Sequence, residues 1–86
     1  MDQAKADLAG RLGVSAEGVK LVSAEEVTWR DSSLGCPQPG MRYAQVLTNG
    51  TQIILTAGGK QYHYHSSAQR PPFLCETPQP PLSTGG

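Results

Sequence analysis

The sequence predicts an α+β fold: an N-terminal helix packed on a four-stranded, mainly antiparallel sheet, run as a meander and closed by one disulfide. Three observations carry this. Apolar residues near the N-terminus recur at helical spacing. The second half holds three β-rich runs separated by short glycine turns. Two cysteines, Cys36 and Cys75, bracket those runs. One helix laid across one face of such a sheet is a stable two-layer arrangement.

The helix is expected over 3–13. Ala4, Leu8, Ala9 and Leu12 form its apolar stripe. Asp2 can cap its start, and Gly13 can end it in a left-handed conformation. Val19 to Trp29 reads as a strand. Val19, Leu21, Val27 and Trp29 share one parity, but so does Glu25, which predicts a bulge or bend near Ser23–Glu25. Three further strands are expected at Tyr43–Thr48, Gln52–Ala57 and Lys60–Ser66. Asn49-Gly50 is a type I′ hairpin signal between the first two. Gly58-Gly59 is a second tight turn. Residues 1–75 then form a single domain. The Pro-rich stretch 76–86 is expected to be a disordered tail.

Eighty-six residues make one small domain, whose thin core benefits from a staple. An even cysteine count without a CxxC motif favours a structural disulfide over a zinc or redox site. Closing a loop of about 40 residues is worth roughly 4 kcal/mol in the chain-entropy model. The alternative is two buried free thiols in a cytosolic protein. A disulfide places the chain outside the cytoplasm: secreted, periplasmic, or membrane-anchored through a segment absent here. Residues 1–15 lack the apolar core of a signal peptide, so the export signal or lipid anchor is expected upstream of Met1. Formal net charge is zero, and 16% of residues are charged. Nucleic acid, which wants a basic face, is not an expected partner. No apolar run is long enough to insert into a membrane.

The string Val27-Thr-Trp-Arg-Asp-Ser-Ser-Leu-Gly-Cys-Pro-Gln-Pro-Gly40, with Tyr43-Ala-Gln-Val46, Gly59-Lys-Gln-Tyr-His-Tyr-His65 and Pro72-Phe-Leu-Cys75, resembles a family of small bacterial exported or lipoprotein-type domains with no assigned activity. The resemblance runs from about Asp7 to Cys75. Its most specific part is the Trp-x-Asp-x-Ser-Leu-Gly-Cys-Pro-x-Pro-Gly string. The layout is also similar to PepSY and cystatin-like modules. The resemblance implies an extracytoplasmic binding or regulatory module.

The Pro/Gly/Cys loop 30–42 is the expected working surface, together with the neighbouring segment 70–75. Pro37 and Pro39 fix their own φ angles and bias Cys36 and Gln38 toward extended backbone. Asp31 with Ser32 and Ser33 can hold an Asx-type turn. A pre-ordered loop loses less entropy on binding. Trp29, Asp31, Leu34, Pro37, Gln38, Pro39, Met41 and Tyr43 are the candidate partner-binding residues. The expected function is a non-catalytic binding or accessory domain, monomeric, for a protein or peptide partner. The alternative is a small peptidase inhibitor presenting the same loop. The bland reading is a long connection that needs stiffening.

Other constellations are weaker. His63 and His65 project from one sheet face and could ligate a metal, but nothing in the spacing supplies further ligands. A solvent-facing strand side, with Tyr62 and Tyr64 filling the opposite face, explains them without a metal. Cys36, Asp31 and a histidine could be drawn as a thiol triad, yet a domain this small offers little cleft to orient a substrate. No enzyme activity and no cofactor are expected. Asn49-Gly50-Thr51 matches a glycosylation sequon, and its Asn-Gly already has a structural explanation.

Overall fold

The computed structural model describes residues 2–84 of the chain. Helix α1 spans Asp2–Leu12, and a 3-10 turn follows at Ala16–Gly18. The strands are β1 (Lys20–Trp29), β2 (Thr48–Ala57), β3 (Lys60–Ser67), β4 (Arg70–Cys75) and β5 (Ser83–Thr84). They form one antiparallel sheet in the order β4-β3-β2-β1-β5. The expected α+β class, with a helix followed by a four-stranded meander and the Cys36–Cys75 bond, is what the structure contains.

Helix α1 ends as its sequence dictates. Gly13 is left-handed at φ +69°. The Val14 N–H then donates to the Ala9 carbonyl at 3.0 Å, the long closing bond of a Schellman motif. The capping role expected of Asp2 concerns a side chain outside the described part of the structure.

Residues directly opposite in the register share a sheet face. On one face, Ile53, Leu55, Ala57, Tyr64 and the half-buried Tyr62 and Leu74 pack with Ala4, Leu8 and Ala9 of α1. On the other, Val27, Trp29 and Phe73 pack with Leu34 from the loop after β1. The sheet is therefore covered on both sides, by α1 on one and by the loop on the other.

A bulge lets one strand serve both layers. The β1–β2 register slips between Leu21 and Ser23. Before the slip, Leu21 opposes Leu55 on the helix face; after it, Val27 opposes Gly50 on the loop face. The bulge expected near Ser23–Glu25 thus lies slightly earlier, and it changes which core the later residues enter.

Two strand assignments are corrected. Tyr43–Leu47 is not in the sheet; it is the return limb of the loop, tied to the outgoing limb by Ser32 N–H to the Ala44 carbonyl at 3.0 Å. Asn49-Gly50 is not a turn but lies inside β2. A Cβ on Gly50 would collide with the Ser66 carbonyl oxygen and stand 2.5 Å from Trp29 Nε1. Glycine is there because the indole crosses the strand at that point, not because the chain reverses. The fourth meander strand is β4, where Pro71 and Pro72 are tolerated because the strand is an edge with a register shift. Of the two glycine hairpins expected, the one at Gly58 and Gly59, with φ +60° and +80°, is present between β2 and β3.

The structure describes the stretch expected to be a disordered tail as far as Thr84, and its Ser83–Thr84 is β5. After Cys75 the chain crosses the outside of the loop, where the Gln79 N–H donates to the Gly35 carbonyl at 2.9 Å. It then pairs Ser83 with Thr28 and Thr84 with Val27 at the far edge of the sheet. The expectation for Gly85 and Gly86 lies outside the described residues.

Candidate functional site

The loop 30–47 divides into a buried root and an exposed tip. In the root, Asp31 Oδ1 accepts hydrogen bonds from the Ser33 N–H at 2.9 Å and from the Ser33 hydroxyl at 2.5 Å, the expected Asx-type turn. Leu34 and Gly35 both take left-handed backbone, at φ +56° and +73°. This corkscrew drives the Leu34 side chain into the core and turns its carbonyl toward β3. A Cβ on Gly35 would lie 2.6 Å from the Trp29 ring on one side and 3.0 Å from the Gln79 carbonyl oxygen on the other. Cys36 then bonds Cys75 across a Cα separation of 5.8 Å, pinning the root to β4.

His65 is the centre of this root. Its side chain is fully buried, stacked on Trp29 with ring centroids 4.4 Å apart and edge-on to Phe73 at 6.3 Å. Nδ1 lies 2.6 Å from the Leu34 carbonyl oxygen, so Nδ1 carries the proton and donates. Nε2 is buried with no hydrogen-bond partner among the described residues. Burial holds this imidazole below its ordinary pKa, the Leu34 carbonyl pulls the other way, and His63 adds a further depression. A neutral ring fits the apolar surroundings. His65 is therefore a core residue under the loop, not part of a solvent-facing strand side.

The candidate residues part company here. Trp29 and Leu34, at 0% and 3% exposure, lie in the core beneath the loop. Asp31 is spent on its turn and Pro37 is half-buried. Gln38, Pro39 and Met41 are exposed, and Tyr43 is half-buried beside them. Gly40 is left-handed at φ +79°, and the Met41 N–H donates to the Gln38 carbonyl at 3.2 Å. With Pro39 ahead of that glycine, the tip is a type II turn. The Gln38 N–H donates to the Tyr43 hydroxyl at 2.9 Å, bracing the turn from behind.

The tip meets β4 and the end of α1 at a groove of about 390 Å³. Its walls are Gln38, Met41 and Tyr43 from the tip, Arg70, Phe73 and Leu74 from β4, and Arg11 from α1, beside Cys36. The tip and the segment 70–75, named together from sequence, both line this groove. Arg11 was not expected: a basic residue in a last helical turn is ordinary, and nothing local connects it to a strand far away in sequence. Its Nε donates to Asp7 Oδ2 at 2.6 Å, and the same carboxylate oxygen accepts from the Tyr64 hydroxyl at 2.6 Å. Those two bonds, Tyr64 first, hold the Asp7 carboxyl below its ordinary pKa. The Arg70 guanidinium lies over the Phe73 ring at 3.8 Å, a cation–π contact.

A family model for a domain of unknown function, DUF8738, matches residues 1–75. The chain belongs to this family. The DUF8738 match takes in α1, β1–β4, the loop, the groove and both disulfide cysteines, and excludes β5. No curated protein and no solved structure matches the chain.

The thiol triad is removed by the Cys36–Cys75 bond, which leaves no thiol in the described residues. Among those residues, no group of three or more His, Cys, Asp or Glu side chains is placed to hold a metal. His65 commits Nδ1 to Leu34. No helix among them is long and apolar enough to cross a membrane.

Proposed function

We propose that this DUF8738 chain is a non-catalytic binding or accessory domain that works outside the cytoplasm as a monomer, and that its binding site is the groove between the loop tip and β4. The observation that carries the reading is the tip itself. Gln38–Met41 is exposed yet held by a type II turn, the Tyr43 brace and a nearby disulfide. Such a surface binds with little ordering cost. The groove supplies apolar floor and hydrogen-bond donors, which is binding chemistry. The location rests on the disulfide, because such bonds form and persist in oxidising compartments.

A peptide or protein segment is the partner class that fits. The groove lies at the low end of the ~300–1,000 Å³ range of small-molecule pockets and is open, so it suits one or two side chains of a larger partner. The tight turn favours this over the peptidase-inhibitor reading, since the tip folds back at Met41 and does not offer a run of extended residues to a protease.

Selection of displayed random peptides against the oxidised protein tests this. Bound peptides should shift the backbone amides of Gln38–Tyr43 and of Phe73–Leu74, and Met41→Asp should abolish those shifts with the fold intact. Binders that map elsewhere, or an absence of binders, would remove the groove from consideration.

A further inference from the structure

The groove is chemically one-sided, and that points to the kind of peptide it takes. Its lining contains two arginines and no carboxylate. The arginines are not equivalent. Arg11 is neutralised by Asp7 at 2.6 Å. Arg70 has no carboxylate partner among the described residues; its guanidinium rests on the Phe73 ring, with its fork of N–H donors unused. A guanidinium resting against an aromatic face has less freedom to lose when it takes a bidentate carboxylate. The Tyr43 hydroxyl already accepts from the Gln38 N–H, so its own proton is available to donate. The apolar part of the same lining is Met41, Phe73 and Leu74.

We propose that the groove binds an acidic peptide, with an Asp or Glu carboxylate seated on Arg70 and an adjacent apolar side chain against Met41, Phe73 and Leu74. The argument is charge complementarity: the walls offer one uncompensated cation and donors, over an apolar floor. The inference rests on the groove being the binding site. It goes further by fixing the sign of the ligand and the residue that reads it.

The test uses three short labelled peptides sharing the same leucines and a tyrosine, with the remaining positions filled by Glu, Lys or Ser. Binding is followed by fluorescence anisotropy on the oxidised protein. The Glu peptide should bind, the Ser peptide more weakly, and the Lys peptide not measurably. Arg70→Gln should weaken the Glu peptide by about tenfold or more, the size expected for a lost charge-assisted hydrogen bond. Arg70→Glu should reverse the preference toward the Lys peptide. Raising sodium chloride should weaken the Glu peptide selectively. Arg70 is exposed, so both variants should keep Trp29 emission and lose only the few degrees of thermal midpoint that the Phe73 contact is worth. Equal binding of the Ser and Glu peptides, lost in Met41→Asp but not in Arg70→Gln, would overturn the acidic-ligand proposal and leave the groove as the site. Binding of the Glu peptide unchanged in Arg70→Gln and in Met41→Asp would overturn both, as would no binding by any of the three.

Discussion

His65 shows how a single side chain can be misjudged from its neighbours. Its alternation with Tyr62 and Tyr64 correctly assigns it to the opposite sheet face, but sequence cannot show that the loop comes back to cover that face. The covered imidazole makes stability depend on pH. Its ordinary pKa is 6.5, and burial lowers it in the folded chain. Between those two values the unfolded state binds more protons, so stability rises with pH there. The contribution is complete above about pH 6.5. It is lost as pH falls below that point, until the folded-state value is passed. Urea titrations at several pH values, read by Trp29 emission, should show this decline, and His65→Gln should flatten it. A wild-type profile with no slope in that window would mean the folded ring is already charged. Asp7 acts in a separate, more acid window. Its folded pKa is depressed below 3.8, so its contribution is present above that value and lost as pH falls through the folded value. Gly50 carries a different residue-level expectation. Because an added Cβ meets backbone as well as Trp29, Gly50→Ala should cost at least about 2 kcal/mol and lower the melting temperature by roughly 10 °C. A thermal melt within a few degrees of wild type would contradict that account.

At the level of elements, what could be read from sequence was whatever has a local cause. Helix α1, its glycine terminus and the Gly58-Gly59 hairpin follow from spacing and backbone freedom within a few residues. The bulge in β1 was also foreshadowed, by the out-of-pattern Glu25. Asn49-Gly50 misled because its glycine answers a distant demand, the Trp29 ring, while mimicking a local one. β4 was hidden by Pro71-Pro72, which argue against a strand except at an edge, and edge position is a property of the finished sheet. The tip was legible as a stiff loop, whereas Arg11 entered the groove only through tertiary packing. The element most dependent on a single covalent tie is the loop root. Replacing both cysteines with alanine should cost about 4 kcal/mol for a closed loop of 39 residues. Because Cys36 and Cys75 sit on the loop face, amide exchange should rise first in Ser33–Cys36 and β4, and less in α1. Uniform loosening of both faces would show that the two layers unfold as one unit.

The whole molecule is a sheet between two unlike covers, with the C-terminal stretch as a strap over the second. The strap crosses at Gly35 and continues to β5, where the Leu82 N–H donates to the Thr28 carbonyl at 2.9 Å. Ending the chain after Glu76 should therefore cost about 1–2 kcal/mol, from these few exposed hydrogen bonds and the contacts around Gly35. It should also increase exchange at the Thr28 amide while the Tyr64–Asp7 side of the molecule is unchanged. Equal stability of the full and shortened chains in urea would show that the strap lies on the domain without holding it.

The slip in β1 between Leu21 and Ser23 sets a rule of arithmetic for this family member. The segment Lys20–Glu26 is mostly exposed and looks free to vary in length. Yet the number of residues between Leu21 and Val27 is counted against β2. Six steps on β1, Leu21 to Val27, face five on β2, Leu55 to Gly50, so one residue is surplus and the slip takes it up. Remove one, and the strands match step for step, with Leu21 and Val27 still on opposite faces and no slip to absorb. Add one, and either the bulge grows or Val27 and Trp29 turn toward α1.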